Sequence, residues 1–133
     1  MQDKKRTILI IDDDIDFIQQ LQLSLEAAGF SVRPAYGEKE AEEALKEGRP
    51  DLVISDLMME HQDGGFVLCH RIKRQDPTIP VILTTAVTSA TGLRFDTITA
   101  DERSWVKADA ILAKPVRFEQ ILREIRRLLP EAQ

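Results

Sequence analysis

The strongest constraint on this chain is a series of short apolar runs, each ending in polar residues: Thr7 to Ile11, Ser31 to Pro34, Leu52 to Ser55, Val81 to Thr84 and Ala110 to Leu112. Each reads as a strand. The first, third and fourth are continuous rather than alternating, the pattern of strands covered on both faces of a parallel sheet, and the second is the weakest. Helical patterns lie between them. Ile18, Leu21, Leu25 and Ala28 recur at helical spacing, in a segment that opens among Asp14 and Asp16 and stops at Gly29. Ala41, Ala44 and Leu45 mark a second helix closed by Gly48 and Pro50, and a third runs from about Phe66 to Arg74, ahead of Pro77. In the last helix Phe118, Ile121, Leu122, Ile125, Leu128 and Leu129 form one apolar stripe, with Arg123, Arg126 and Arg127 on the solvated face. Strand and helix alternate, which implies right-handed crossovers and an α/β fold: a doubly wound, five-stranded parallel sheet with helices on both faces. The exception is Ala86 to Asp109, long for a loop, with room for one short helix around Ala100 to Val106.

A chain of 133 residues has room for a single domain, residues 1–133 with a core over about 7–129, and a second module is not expected. Output is therefore expected through binding to another protein or relay to another His. Lys and Arg number 18 against 23 Asp and Glu, a formal net charge of −5, which argues against a binder of nucleic-acid phosphates. Cys69 is the single cysteine, so an internal disulfide and a cysteine-based zinc site are both unavailable, and a reducing cytoplasm is expected. The longest apolar runs, such as Ile8 to Ile11, fall far short of the roughly 20 residues that span a bilayer. The basic start Lys4-Lys5-Arg6 meets Asp12-Asp13-Asp14 before a signal core is complete, so neither export nor a membrane partner is expected.

In open α/β sheets ligands sit outside the carboxyl ends of the strands. Here those ends carry Asp12 and Asp13, Asp56, Thr84 and Thr85, and Lys114-Pro115, all directed to one rim. Three carboxylates brought together without a cation repel, and one has to stay protonated. A divalent ion resolves the conflict. Hard oxygen ligands from a few side chains, with positions left for waters and a phosphoryl oxygen, suit Mg²⁺ better than Ca²⁺, and the predicted task is phosphoryl transfer.

The motifs Ile8-Leu9-Ile10-Ile11-Asp12-Asp13-Asp14, Pro50-Asp51-Leu52-Val53-Ile54-Ser55-Asp56-Leu57-Met58-Met59, Asp63-Gly64-Gly65, Ile79-Pro80-Val81-Ile82-Leu83-Thr84-Thr85-Ala86 and Lys114-Pro115 resemble the receiver domains of two-component response regulators, in order and over nearly the whole chain. The resemblance implies the flavodoxin-like strand order 2-1-3-4-5. It implies that Asp56 is the phosphoacceptor, that Asp13 binds Mg²⁺ directly and Asp12 through water, and that the Met58 carbonyl completes the protein ligands. Thr85 then follows the phosphoryl group and Lys114 is the fixed cation. The phosphoryl donor is a sensor histidine kinase or a histidine phosphotransfer protein. Each role has a physical reason: a carboxylate is a competent covalent nucleophile, and phosphoryl transfer asks the protein chiefly for positioning and charge neutralisation.

One departure stands out. Where the family turns an aromatic side chain inward behind the Thr, this chain has Ile111, and the stretch from Thr85 to Lys114 is longer than usual. Rearrangement of the Ala86 to Asp109 segment, with Phe95 or Trp105 in place of the aromatic, is the expected substitute. The family tunes phosphorylated lifetime at positions that are here Met58, Ala86 and Val87, none of which carries a group to orient water, so self-dephosphorylation is expected to be slow.

Plainer roles are expected elsewhere: Asp14 and Asp16 as acids that cap and complement the first helix, His61 and His70 as structural or solvated, and Asp63-Gly64-Gly65 as a turn with positive φ. Two other functions compete with the receiver. A phosphatase of the haloacid dehalogenase type would use Asp12 as nucleophile, in the Asp-x-Asp of Asp12 and Asp14, but Asp16 stands where that family has Thr or Val and no acidic pair follows Lys114. A receiver-like module that binds a partner without phosphorylation is the other.

Overall fold

The computed structural model describes residues 5–57, 64–86 and 108–129. Its strands are β1 (Thr7–Ile11), β2 (Ser31–Ala35), β3 (Leu52–Asp56), β4 (Val81–Ala86) and β5 (Ala110–Lys114). They form one parallel sheet in the order β2-β1-β3-β4-β5. The helices among the described residues are α1 (Ile15–Ala27), α2 (Glu38–Glu47), α3 (Gly64–Gln75) and α4 (Phe118–Leu128).

Successive side chains of a strand point to opposite faces, and both faces of this sheet are covered. Ile8, Ile10, Leu52, Ile54 and Ile82 meet Ile18, Leu21 and Leu25 of α1 and Ile121 and Ile125 of α4. Leu9, Ile11, Val53, Val81 and Leu83 meet Ala41 of α2 and Leu68, Cys69 and Ile72 of α3. This accounts for the unbroken apolar runs of β1, β3 and β4. β2 lies at an edge and is only partly buried, and there Pro34, which has no amide hydrogen, costs the ladder little.

Gly64 and Gly65 correct one expectation, since they open α3 instead of forming a positive-φ turn. The first N–H groups of a helix have no intrahelical partner, so glycine costs less there than in a helix interior. Asp14 and Gly29 fall where expected. The Asp14 side chain accepts the Phe17 N–H at 3.2 Å and caps α1, and Gly29, at φ +100°, follows its C-terminus. Asp16 lies in the first turn of α1.

Two polar clasps hold the amino-terminal rim, away from the carboxyl ends. Asp109 Oδ2 accepts the Val81 N–H at 2.8 Å and pairs with Lys73 Nζ at 2.7 Å, tying the starts of β4 and β5 to α3. Arg127, expected on the solvated face, reaches the Asp109 carbonyl at 3.1 Å. In the second clasp Asp76 accepts from the Thr78 N–H at 3.0 Å, from the Thr78 hydroxyl and from Arg49 Nε at 2.6 Å.

These bonds, Thr78 first and Arg49 next, lower the Asp76 carboxyl to about 2. A folded-state value below the unfolded one, about 3.9, adds stability that is complete above that pH and disappears as pH falls through about 2. The difference in urea midpoint between wild type and Asp76→Ala is therefore expected to be constant above about pH 5 and to shrink steadily below about pH 4. A difference that stays the same down to the acid limit would remove the carboxylate from this account.

Candidate functional site

The sheet register assembles the site. Ile11 pairs with Ser55 and Asp56 with Thr84, so the ends of β1, β3 and β4 fall side by side at the carboxyl rim. Asp12 and Asp56 continue the alternation of Ile10 and Ile54 and lie toward α1 and α4, as does Lys114 beyond Leu112. Carboxylate oxygens of Asp12, Asp13 and Asp56 lie within 4.8 Å of one another. Asp12 and Asp56 are buried, whereas Asp13 is exposed.

Lys114 enters this group from β5. Its Nζ donates to Asp12 Oδ2 at 3.0 Å and lies 3.8 Å from Asp56 Oδ2. The Lys114-Pro115 bond is cis. Asp12 is held from its other oxygen as well, because Oδ1 accepts the Asp14 N–H at 2.9 Å. Burial raises the Asp12 carboxyl above its ordinary value; the Asp14 amide and Lys114 counter this in part, and the Asp13 charge adds to it. Three carboxylates facing one ammonium leave two negative charges in excess.

Such a cluster fits Mg²⁺ on its own chemistry. Every side-chain donor is a hard carboxylate oxygen, the excess is that of one divalent cation, and a cation there would offset the burial that raises the Asp12 carboxyl.

Thr84 and Thr85 end β4, and both are buried. Thr84 is the register partner of Asp56, and among the described residues its Oγ1 has no hydrogen-bond partner. Thr85 follows it, opposite Ala113. Ile111, at the position where the family has an aromatic side chain, pairs with Leu83 and packs against the core beneath α2 and α3. Met58, His61, Val87, Phe95 and Trp105 lie outside the described residues, as does the stretch 87–107 and with it the expected rearrangement. Cys69 is buried, and burial pushes its thiol up to about 12, so it supplies no thiolate to any reaction at neutral pH.

One participant escaped sequence reasoning. Phe17, in the first turn of α1, places its ring centroid 4.8 Å from Lys114 Nζ. Only its position three residues past the capping Asp14, beside the acidic rim, hints at it.

Comparison with known proteins identifies the family of this fold. Residues 8–126 match the response regulator receiver domain model. The DNA-binding dual master transcriptional regulator RpaA of Synechocystis sp. is 36% identical over 124 residues, which cover 92% of this chain and 48% of the relative. The chain thus spans about half the length of the curated relatives it matches. A response regulator structure from Chloroflexus aurantiacus J-10-fl superposes with a TM-score of 0.81 at 28% identity, covering 96% of this chain and 100% of the other. One from Burkholderia pseudomallei, described with a phosphorylated aspartic acid, calcium ion and citrate, gives 0.72 at 27% identity, over 89% of this chain and 65% of the other. Neither a phosphatase that uses Asp12 nor any other fold is needed to account for these matches. The chain belongs to the receiver domain family of two-component response regulators.

Proposed function

We propose that Asp56 accepts a phosphoryl group from the phosphohistidine of a sensor histidine kinase or a histidine phosphotransfer protein, and that the domain itself promotes the transfer. The observation that carries this reading is the convergence of Asp12, Asp13 and Asp56 on Lys114 at the carboxyl rim. A carboxylate oxygen of Asp56 attacks phosphorus. The new O–P bond forms as the N–P bond to the donor imidazole breaks, and that nitrogen keeps the electron pair and takes up a proton. Lys114 neutralises charge beside the attacking oxygen. Asp12, Asp13 and Asp56, with the Met58 carbonyl, would hold Mg²⁺, which when bound supplies neutralisation at the phosphoryl oxygens. The Thr85 hydroxyl then donates to a phosphoryl oxygen. The phosphorylated aspartic acid and bound cation of the Burkholderia structure support the same chemistry.

The product adds about −1.5 to −2 charges, by analogy with phosphorylated hydroxyl side chains, to a rim that already carries an acidic excess. That change alters affinity for a downstream protein. The acidic balance argues against contact of this stretch with nucleic acid, and a single buried thiol accords with a reducing cytoplasm. Incubation with acetyl phosphate and Mg²⁺ is expected to add one phosphoryl mass, labile to hydroxylamine and mapped by borohydride reduction to Asp56. Chelation of Mg²⁺ is expected to prevent it. A chain that stays unlabelled with Mg²⁺ present would be a binding module working without phosphorylation, and steady turnover of phosphate monoesters with no protein label would return attention to Asp12.

A further inference from the structure

We infer that Phe17 is a positioning residue for the phosphoryl-transfer site, its ring face holding the Lys114 ammonium where it reaches both Asp12 and Asp56. The inference rests on the assignment of Asp56 as phosphoacceptor and extends it to a residue with no polar side-chain atom.

The argument begins with what Lys114 lacks. It sits at the last position of an edge strand, on a flexible four-carbon stem. Its closest partner, Asp12 at 3.0 Å, pulls it away from Asp56 at 3.8 Å. The phosphoryl group arrives at Asp56, so the ammonium must stay near that oxygen without being locked to it. A ring centroid 4.8 Å from Nζ lies within the range at which an aromatic face attracts a cation. Because the ring is uncharged, that attraction does not compete for a metal ion and does not add to the acidic excess. An aliphatic side chain there would leave the ammonium to the pull of Asp12, while a carboxylate would hold it away from the acceptor.

Phe17 is itself held at its backbone and flanked at its side chain. Its backbone N–H is bonded to the capping Asp14, two residues from Asp12. Its side chain lines a small cleft with Leu21 of α1 and with Val116 and Phe118, which lie within four residues of Lys114. The segment that delivers Lys114 therefore also packs the ring that receives it.

The test compares initial rates of acetyl phosphate labelling by intact mass in Phe17→Leu, Phe17→Tyr and wild type, with Mg²⁺, together with the shift of the Lys114 ε-methylene protons by NMR. Phe17→Leu is expected to label about three- to tenfold more slowly, the range of a partly desolvated cation–ring contact. Phe17→Tyr, which keeps the ring face, is expected to stay within about twofold of wild type. The upfield ring-current shift of the ε-methylene is expected in wild type and Phe17→Tyr and absent in Phe17→Leu. Added to Lys114→Ala, Phe17→Leu should bring no further loss. Should Phe17→Leu not fold, Phe17→Met serves in its place. Equal rates for wild type and Phe17→Leu, a loss that persists without Lys114, or a Phe17→Tyr as slow as Phe17→Leu would each overturn the inference while leaving Asp56 as acceptor. A wild type without label overturns the acceptor assignment itself, and this inference with it.

Discussion

Lys114→Ala is expected to slow Asp56 labelling by acetyl phosphate about 10²–10³-fold, the loss typical of removing one preorganised donor from a site of charge development, while Asp56→Ala abolishes it. The same Lys114→Ala change is expected to tighten Mg²⁺ binding about tenfold. The opposite signs have one cause. In the wild type an ammonium lies 3.0 Å from Asp12 and 3.8 Å from Asp56, and it partly occupies by charge the place a divalent ion also needs. Removing a unit positive charge a few ångströms from such an ion relieves a repulsion of about 1–2 kcal/mol even at a water-like dielectric constant, which is about five- to thirtyfold in affinity. Without metal the variant is less stable than wild type, because the buried Asp12 loses its partner. With metal much of that loss returns. A purely structural Lys114 would lower labelling and affinity together, so intact-mass rates beside Mg²⁺ titration by calorimetry separate the two. Lys114→Arg keeps the charge but presents it as a planar fork, and it is expected to fall between.

How much of this was legible in the sequence follows from where apolar side chains are and are not needed. β1, β3 and β4 are covered on both faces, so their runs stand out, whereas β2 is an edge strand carrying Arg33 and Pro34 and reads weakly. The expected strand ends at Ser55, Thr84 and Leu112 fall short of the observed Asp56, Ala86 and Lys114. Apolar patterning fades as polar and small side chains begin, but the ladder is made by the backbone and continues through them. The overrun reaches the polar rim, since Asp56, Thr85 and Lys114 all lie within it.

The polar rim could be read because parallel strands carry all their carboxyl ends to one side. What could not be read are contacts between elements distant in the chain whose residue types are unremarkable alone. Phe17 beside Lys114, Lys73 beside Asp109, and Arg49 beside Asp76 depend on how the helices settle on the sheet. Local patterns also misassigned Gly64-Gly65, where glycine suggests a turn but the helix begins. In contrast, the capping role of Asp14 was anticipated.

The acidic cluster makes metal binding a stability effect as well as a catalytic one. On the proposed reading Mg²⁺ would bind the folded chain, where Asp12, Asp13 and Asp56 are together, and not the unfolded one, where they are far apart. At a free concentration about 100 times Kd this linkage contributes about 2.7 kcal/mol, roughly 10 °C in Tm for a domain of this size. Asp13 is the exposed member and the one whose charge is not paired with Lys114. Asp13→Asn is therefore expected to raise Tm in the absence of metal, because one of three mutually repelling charges is gone, an effect of about 1 kcal/mol at a water-like dielectric constant. It is also expected to lose most of the rise on adding Mg²⁺, since a direct ligand is lost. The two melting curves should thus cross: the variant is the more stable without metal and the wild type with it. Differential scanning calorimetry at fixed ionic strength, with Na⁺ replacing Mg²⁺ in the control, checks this. A wild type whose Tm ignores Mg²⁺, or an Asp13→Asn that melts below wild type in chelator, would mean that the three carboxylates are not sharing the strain of a common charge.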